Sequence, residues 1–219
     1  MPPNVALIIT STRTPRVGPS IATLIHTILT NHISSTPTST SNPPKAKAKA
    51  TLSIVDLAPF NLPIFNEPVV PANVPARGTF IHEHSKRWSA EIASHDAYIL
   101  LVPEYNYGMA GSTKNAIDYL KNEWAGKPAA VISYGISGGK IASEQVVTSL
   151  SGVGLRVVET RPQLAFVGGV GPDAFLAVGE GKLGEETRRQ WEERHAEEIV
   201  QSFEEILEAL ANPPAEKKE

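Results

Sequence analysis

Ser11-Thr12-Arg13-Thr14-Pro15-Arg16-Val17-Gly18-Pro19-Ser20 sets hydroxyls and two guanidinium groups between an apolar run and a helical repeat. Pro19 suits the first position of a helix. A helix start offers free backbone N–H groups and the positive end of the macrodipole, which together attract an anion. Hydroxyls and arginines add charge-assisted donors, so a terminal phosphate is the natural occupant. From these residues alone, a capped helix with two solvated arginines stays open as the other reading.

Two further loops carry chemistry. Pro103-Glu104-Tyr105-Asn106-Tyr107-Gly108-Met109-Ala110-Gly111 places two aromatics and an amide just beyond an apolar strand. Such a loop can lay an aromatic beside a planar ring and offer backbone N–H groups to ring heteroatoms. An ordinary turn with tyrosines packed on the next helix is its other reading. The Glu104 backbone is expected to matter more here than its carboxylate. Ser133-Tyr134-Gly135-Ile136-Ser137-Gly138-Gly139-Lys140 is the third loop, and its glycines permit close backbone approach to a ligand edge. It is not a nucleotide P-loop: Tyr134 stands where the first glycine belongs and Ile141 where Ser or Thr belongs.

Gly179-Glu180-Gly181-Lys182-Leu183-Gly184 spells a literal G-x-G-x-x-G. The helix behind it opens with Glu185-Glu186, which repels a pyrophosphate, so it reads as a plain loop. His82 and His84 have no third candidate ligand near them in sequence, and His26, His32, His95 and His195 read as helix-surface or boundary residues. Asn115 and Asp118 share a helix face and either orient the neighbouring loop or bond locally.

These loops need strands and helices to hold them. Val5–Thr10 is a continuous apolar run, as in a strand buried on both faces. Ile21, Leu24, Ile25, Ile28 and Leu29 repeat at helical spacing after it. Ser34–Ala50 is a Ser/Thr/Pro and Lys/Ala stretch, expected to be a flexible insertion that packs on nothing. Strands follow at 52–56, 98–102 and 129–133, with a fifth within 156–167 interrupted at Pro162. A long proline-rich loop runs from Leu57 to Pro75. Helices are expected at 77–94, 111–121, around Val146–Leu150 and, unbroken, at 185–211, with a frayed tail at 212–219. Strands alternating with helices make a doubly wound five-stranded parallel sheet with helices on both faces, in one domain over residues 1–211. Sheets of this kind bind ligands beyond the strand carboxyl ends, where strand order reverses; in the flavodoxin-like order that point lies between the first and third strands.

Composition narrows the function. A formal net charge of −3 provides no clustered cations for nucleic acid. Cysteine is absent, which removes disulfides, thiolate metal sites and a cysteine nucleophile. No apolar segment approaches the roughly 20 residues of a membrane-spanning helix. With no basic leader ahead of Val5, the cytoplasm is the expected location.

Three blocks together resemble the NAD(P)H-dependent FMN reductase family, and especially its fungal quinone-reductase branch. They are Ser11-x-Arg13-x-x-Arg16-Val17-x-Pro19, Pro103-Glu104-Tyr105-Asn106 followed by Lys114-Asn115-Ala116-Ile117-Asp118, and Ser133-Tyr134-Gly135 with Gly138-Gly139. The resemblance implies that Ser11, Arg13, Arg16, Val17, Gly18 and Ser20 bind the FMN phosphate. It implies that Pro103, Glu104, Tyr105, Asn106 and Tyr107 hold the ribityl chain and isoalloxazine. Tyr134, Gly135, Ser137, Gly138 and Gly139 would close the other edge of the ring. It further implies ping-pong transfer from NADPH or NADH through FMN to a quinone, free flavin or similar acceptor, in a homodimer, without metal and without a catalytic side chain. A flavodoxin-type electron carrier and a flavin-loaded redox sensor are the alternatives. Ala110 and Thr113 stand where many relatives carry proline and leucine.

Overall fold

The computed structural model describes residues 2–35, 50–75 and 78–213. Among them, β1 (Asn4–Ile9) leads to α1 (Gly18–Ser35), and β2 (Thr51–Asp56) precedes α2 (Glu83–Ala93). Next come β3 (Ala97–Tyr105), a two-residue β4 (Gly108–Met109) and α3 (Gly111–Asp118). β5 (Pro128–Gly135) and α4 (Lys140–Gly152) follow, then the short β6 (Arg156–Val157) and β7 (Gln163–Ala165). The chain closes with α5 (Pro172–Gly179), α6 (Glu185–Arg194) and α7 (Ala196–Ala211).

The main sheet runs β2-β1-β3-β5-β6, with β7 also on β5. All of these pairings are parallel. β6 and β7 lie on the same strand, at Pro128–Ala129 and Ser133–Gly135, so they are two pieces of the interrupted fifth strand. The reversal of strand order falls between β1 and β3, as the sequence leads one to expect.

Each central strand serves two cores because successive side chains point to opposite faces. Val5, Leu7 and Ile9 of β1 join Ile21 and Ile25 of α1 with Phe203 and Ile206 of α7. Ala6 and Ile8 face the other way, with Trp88 of α2, Ile117 of α3 and Val146 of α4. The second core also contains a stack of aromatic edges, Trp88 on Trp124 and Trp124 on Tyr98, at centroid distances of 6.2 and 4.8 Å. Trp88 donates its indole N–H to Ala116 O at 2.9 Å, so this bulky ring buries no unsatisfied donor.

Several boundaries differ from the sequence reading. α2 starts at Glu83 rather than 77, because the N–H groups of Ile81 and His82 are taken by the Glu67 carboxylate at 2.9 and 3.0 Å. α3 ends at Asp118. The long C-terminal helix is two, broken at His195: Trp191 packs on Phe166 at 5.6 Å, and α7 covers the sheet with Ile199, Phe203 and Ile206. His95 lies at the boundary between α2 and β3, where it is buried and bonds Glu91 at 3.0 Å. α5 has no counterpart in the sequence reading. Of the expected insertion at 34–50, Ser34 and Ser35 belong to α1 and Ala50 is buried; 36–49 lie outside the described residues, as do 214–219 of the tail. No helix among the described residues is long and apolar enough to cross a membrane.

Candidate functional site

A cavity of about 460 Å³ opens at the carboxyl ends of β1, β3 and β5. Arg13, Arg16 and Val17 line it from the loop before α1, and Pro103, Glu104, Tyr105 and Asn106 from the end of β3. Tyr134, Gly135 and Ile136 close it from β5, and Phe166, Ala174, Ala177 and Val178 form a wall. The first three groups come from the loops legible in the sequence; the wall of Phe166, Ala174, Ala177 and Val178 does not. A signal for α5 was present: Gly171-Pro172-Asp173 places proline at the first helical turn and an acid beside it, ahead of an apolar run.

The loop before α1 contains a buried donor without a partner. Arg16 Nη1 finds no hydrogen-bond acceptor, and Ser11, fully buried on the same loop, meets only the Tyr134 hydroxyl. Buried donors are rarely left so, and this one marks a place for an acceptor from outside the chain. Tyr134 belongs to the same corner. Burial pushes the pKa of its hydroxyl up, so the group stays protonated beside Ser11. Gly18 is required here by close approach: a Cβ would lie 2.4 Å from Ser11 Oγ and 2.9 Å from Ile9 Cγ2. A methyl group would fill the space between loop and strand. These features fit a phosphate.

The arginines are held by the chain itself. Arg16 Nη2 pairs with Asp56 Oδ2 at 2.6 Å, and Arg13 Nη1 donates to Val178 O at 3.1 Å. Ser20 Oγ donates to Gly181 O at 3.2 Å and Val17 is buried under α1.

At the end of β3 the chain turns tightly through Asn106 and Tyr107, both at positive φ, and returns antiparallel as β4. The Glu104 carboxylate has a task within the fold. Its Oε2 accepts the N–H groups of Ile141 and Ala142 at 3.0 and 3.1 Å, capping the start of α4 where the dipole favours an anion. Gln145 Oε1 accepts Met109 N–H at 2.9 Å and fixes the turn from below. Asn106 faces the cavity, whereas Tyr107 is 82% exposed and off its lining. Gly138 and Gly139, at positive φ, pack against Gln163 and against Ser133 and Tyr134, so their missing side chains serve the turn. Ser137 is exposed, and with both glycines it lies off the cavity lining.

Asn115 orients a neighbouring loop. It accepts Phe65 N–H at 2.9 Å and donates to Pro63 O at 2.7 Å, while Asp118 pairs with Lys114 on the surface. His82 and His84 stack at 5.1 Å, and His84 bonds Asn66 and Tyr119 at 3.3 Å. The G-x-G-x-x-G segment is a loop joining α5 to α6, and it rests on the backbone of Arg16.

A parallel sheet in this strand order, with an anion-ready loop at its reversal point, defines a flavodoxin-like ligand-binding protein. The family model for NADPH-dependent FMN reductase matches residues 3–169. An NAD(P)H-dependent FMN reductase of Nectria sp is 45% identical over 214 residues, covering 96% of this chain and 98% of the relative. A quinone reductase of Pseudomonas putida is 35% identical over 150 residues, 65% of this chain and 73% of that one. A solved flavoenzyme NAD(P)H:(acceptor) oxidoreductase from Paracoccus denitrificans shares the fold at a TM-score of 0.59 and 21% identity, covering 92% of this chain and 97% of that one. The chain belongs to the NADPH-dependent FMN reductase family, and is an oxidoreductase that works with FMN and a reduced nicotinamide donor.

Proposed function

We propose that this chain passes electrons from NADPH or NADH through FMN, held in the crevice between β1 and β3, to a quinone or similar planar acceptor. The observation that carries the site is the unpartnered buried donor Arg16 Nη1, on the same loop as the buried Ser11 hydroxyl and beside a cavity at the strand-order reversal. FMN, when bound, supplies hydride acceptance and release. Ser11, Arg16 and the free N–H groups at the start of α1 hold its phosphate, with Gly18 leaving the room. Arg13, Val17 and Ser20 shape that loop. Pro103, Glu104, Tyr105 and Asn106 on one side and Tyr134 and Gly135 on the other hold the ring. Phe166, Ala174 and Ala177 exclude water from the far wall. Glu104 keeps the loop in place by capping α4.

A quinone acceptor is supported by the name of the Pseudomonas putida relative. A homodimer belongs to the same reading, supported by apolar side chains exposed around the cavity, Ile136 at 42%, Val178 at 56% and Phe175 at 65%. So does a cytoplasmic location, compatible with a chain without cysteine. The test is an anaerobic absorbance spectrum of FMN-loaded protein. Flavin bands should bleach with NADPH or NADH and return with a quinone. Bands that persist would overturn the reductase and leave an electron carrier.

A further inference from the structure

Asp56 stands at the carboxyl end of β2, in register with Ile9 of β1, and so beside the strand-order reversal. Its two oxygens have separate tasks. Oδ2 takes Arg16 Nη2 at 2.6 Å, and Oδ1 accepts Ala58 N–H at 3.0 Å. The Ala58 bond fixes the carboxylate, and the carboxylate in turn fixes one edge of the guanidinium. The pair is largely withdrawn from water, with side-chain exposures of 14% for Arg16 and 32% for Asp56.

Arg16 is also held at its backbone. Gly181, at φ +70°, comes so close that a Cβ there would lie 2.8 Å from Arg16 O and 3.0 Å from Arg16 N. With side chain and backbone both restrained, the rigid fork of the guanidinium leaves Nη1 in one orientation, buried and without a partner. An arginine free in solvent would lose side-chain freedom on meeting a phosphate; this one has lost it already.

We propose that Asp56 is the positioning residue of the phosphate site: it orients Arg16 so that Nη1 reads the terminal phosphate, and thereby sets the preference for FMN over unphosphorylated riboflavin. The inference rests on the flavin reading of the cavity. Its electrostatic sense is unusual, because a carboxylate beside an anion site repels the ligand. The orientation it imposes on a charge-assisted donor outweighs that repulsion.

The test is titration of flavin-free protein with FMN and with riboflavin, read by quenching of flavin fluorescence. Asp56→Asn keeps an oxygen for Ala58 and removes the charge that holds Arg16. It should weaken FMN about tenfold and leave riboflavin within about twofold, so that the preference falls by the same factor. In an Arg16→Ala background, Asp56→Asn should add no further FMN-specific loss. Arg16→Lys provides a second route should Asp56→Asn not fold. A lysine keeps the charge but cannot be gripped by one nitrogen while presenting another, so it should show the same FMN-specific loss. Equal weakening of both flavins, retained preference in either single variant, or additive losses in the double variant would overturn the proposal. Wild-type protein that holds riboflavin as tightly as FMN, or holds neither, would instead overturn the phosphate reading beneath it.

Discussion

Gly18→Ala sets two opposing effects against each other at one atom. Gly18 opens α1 and is not among the positive-φ glycines, so alanine can adopt its backbone. Helix propensity alone favours alanine by up to about 1 kcal/mol, and less at a helix end. The new Cβ would, however, sit 2.4 Å from Ser11 Oγ and 2.9 Å from Ile9 Cγ2. Ile9 is a buried strand residue paired on both sides and cannot recede. Ser11 must give way instead, and forcing atoms into a packed interior costs about 1–3 kcal/mol. The clash wins, leaving a net loss of roughly 1–2 kcal/mol. For a domain of this size that is a fall in Tm of about 2–8 °C. The functional effect should be larger. A displaced Ser11 hydroxyl no longer meets the phosphate, and losing a hydrogen bond to a charged group costs about 1.5–3 kcal/mol, or about 10–100-fold in FMN affinity. Riboflavin, lacking the phosphate, should be affected far less. Calorimetric melting and fluorescence titration of both flavins measure the two effects on the same preparation. An unchanged Tm together with unchanged FMN affinity would refute the cradle at Ser11 and Gly18.

Other residues make sharper structural predictions. Glu104→Ala leaves the N–H groups of Ile141 and Ala142 uncapped, and should lower stability by about 2 kcal/mol, with Glu104→Gln recovering roughly half, both read by urea unfolding. Asn115→Ala releases Phe65 N and Pro63 O, and should raise amide exchange in the segment around Pro63–Asn66 while amides of β1 and β3 hold their protection. Glu67 is 7% exposed; burial works against its charge, yet the N–H groups of Ile81 and His82 and the Ser85 hydroxyl prevail and lower its pKa below the ordinary 4.5. The stability it contributes is therefore present above pH 4.5 and lost as pH falls through the lowered value. Glu67→Gln should melt earlier than wild type at neutral pH, with the gap narrowing in acid; a constant gap would count against that assignment.

Much of this protein is local in sequence. The unbroken apolar run of β1 and the helical repeat of α1 need no distant partner to be recognised, because period and composition carry them. The same holds for the loops at 11–20, 103–111 and 133–140, whose hydroxyls, arginines, aromatics and glycines can be read at the strand ends before any fold is known. The break at Pro162 was equally legible, since proline cannot donate to a sheet.

Other features depend on pairs far apart in the chain, and no local pattern contains them. Glu104 looks like a candidate acid until α4 brings two N–H groups to its carboxylate. Gly138 and Gly139 read as a flexible turn until Gln163 and Ser133 are seen packed beside them. A straight helix over 185–211 matches the helical spacing, but seating both Trp191 and Phe203 in the core requires a bend at His195. Sequence alone determined which residue types stand at the strand ends, and hence that a phosphate and a planar ring could be received there. Only the tertiary structure decided which of their donors is left unsatisfied: Asp56 reaches Arg16 from β2, Val178 reaches Arg13 from α5, and what remains free at Arg16 is set by those long-range partners.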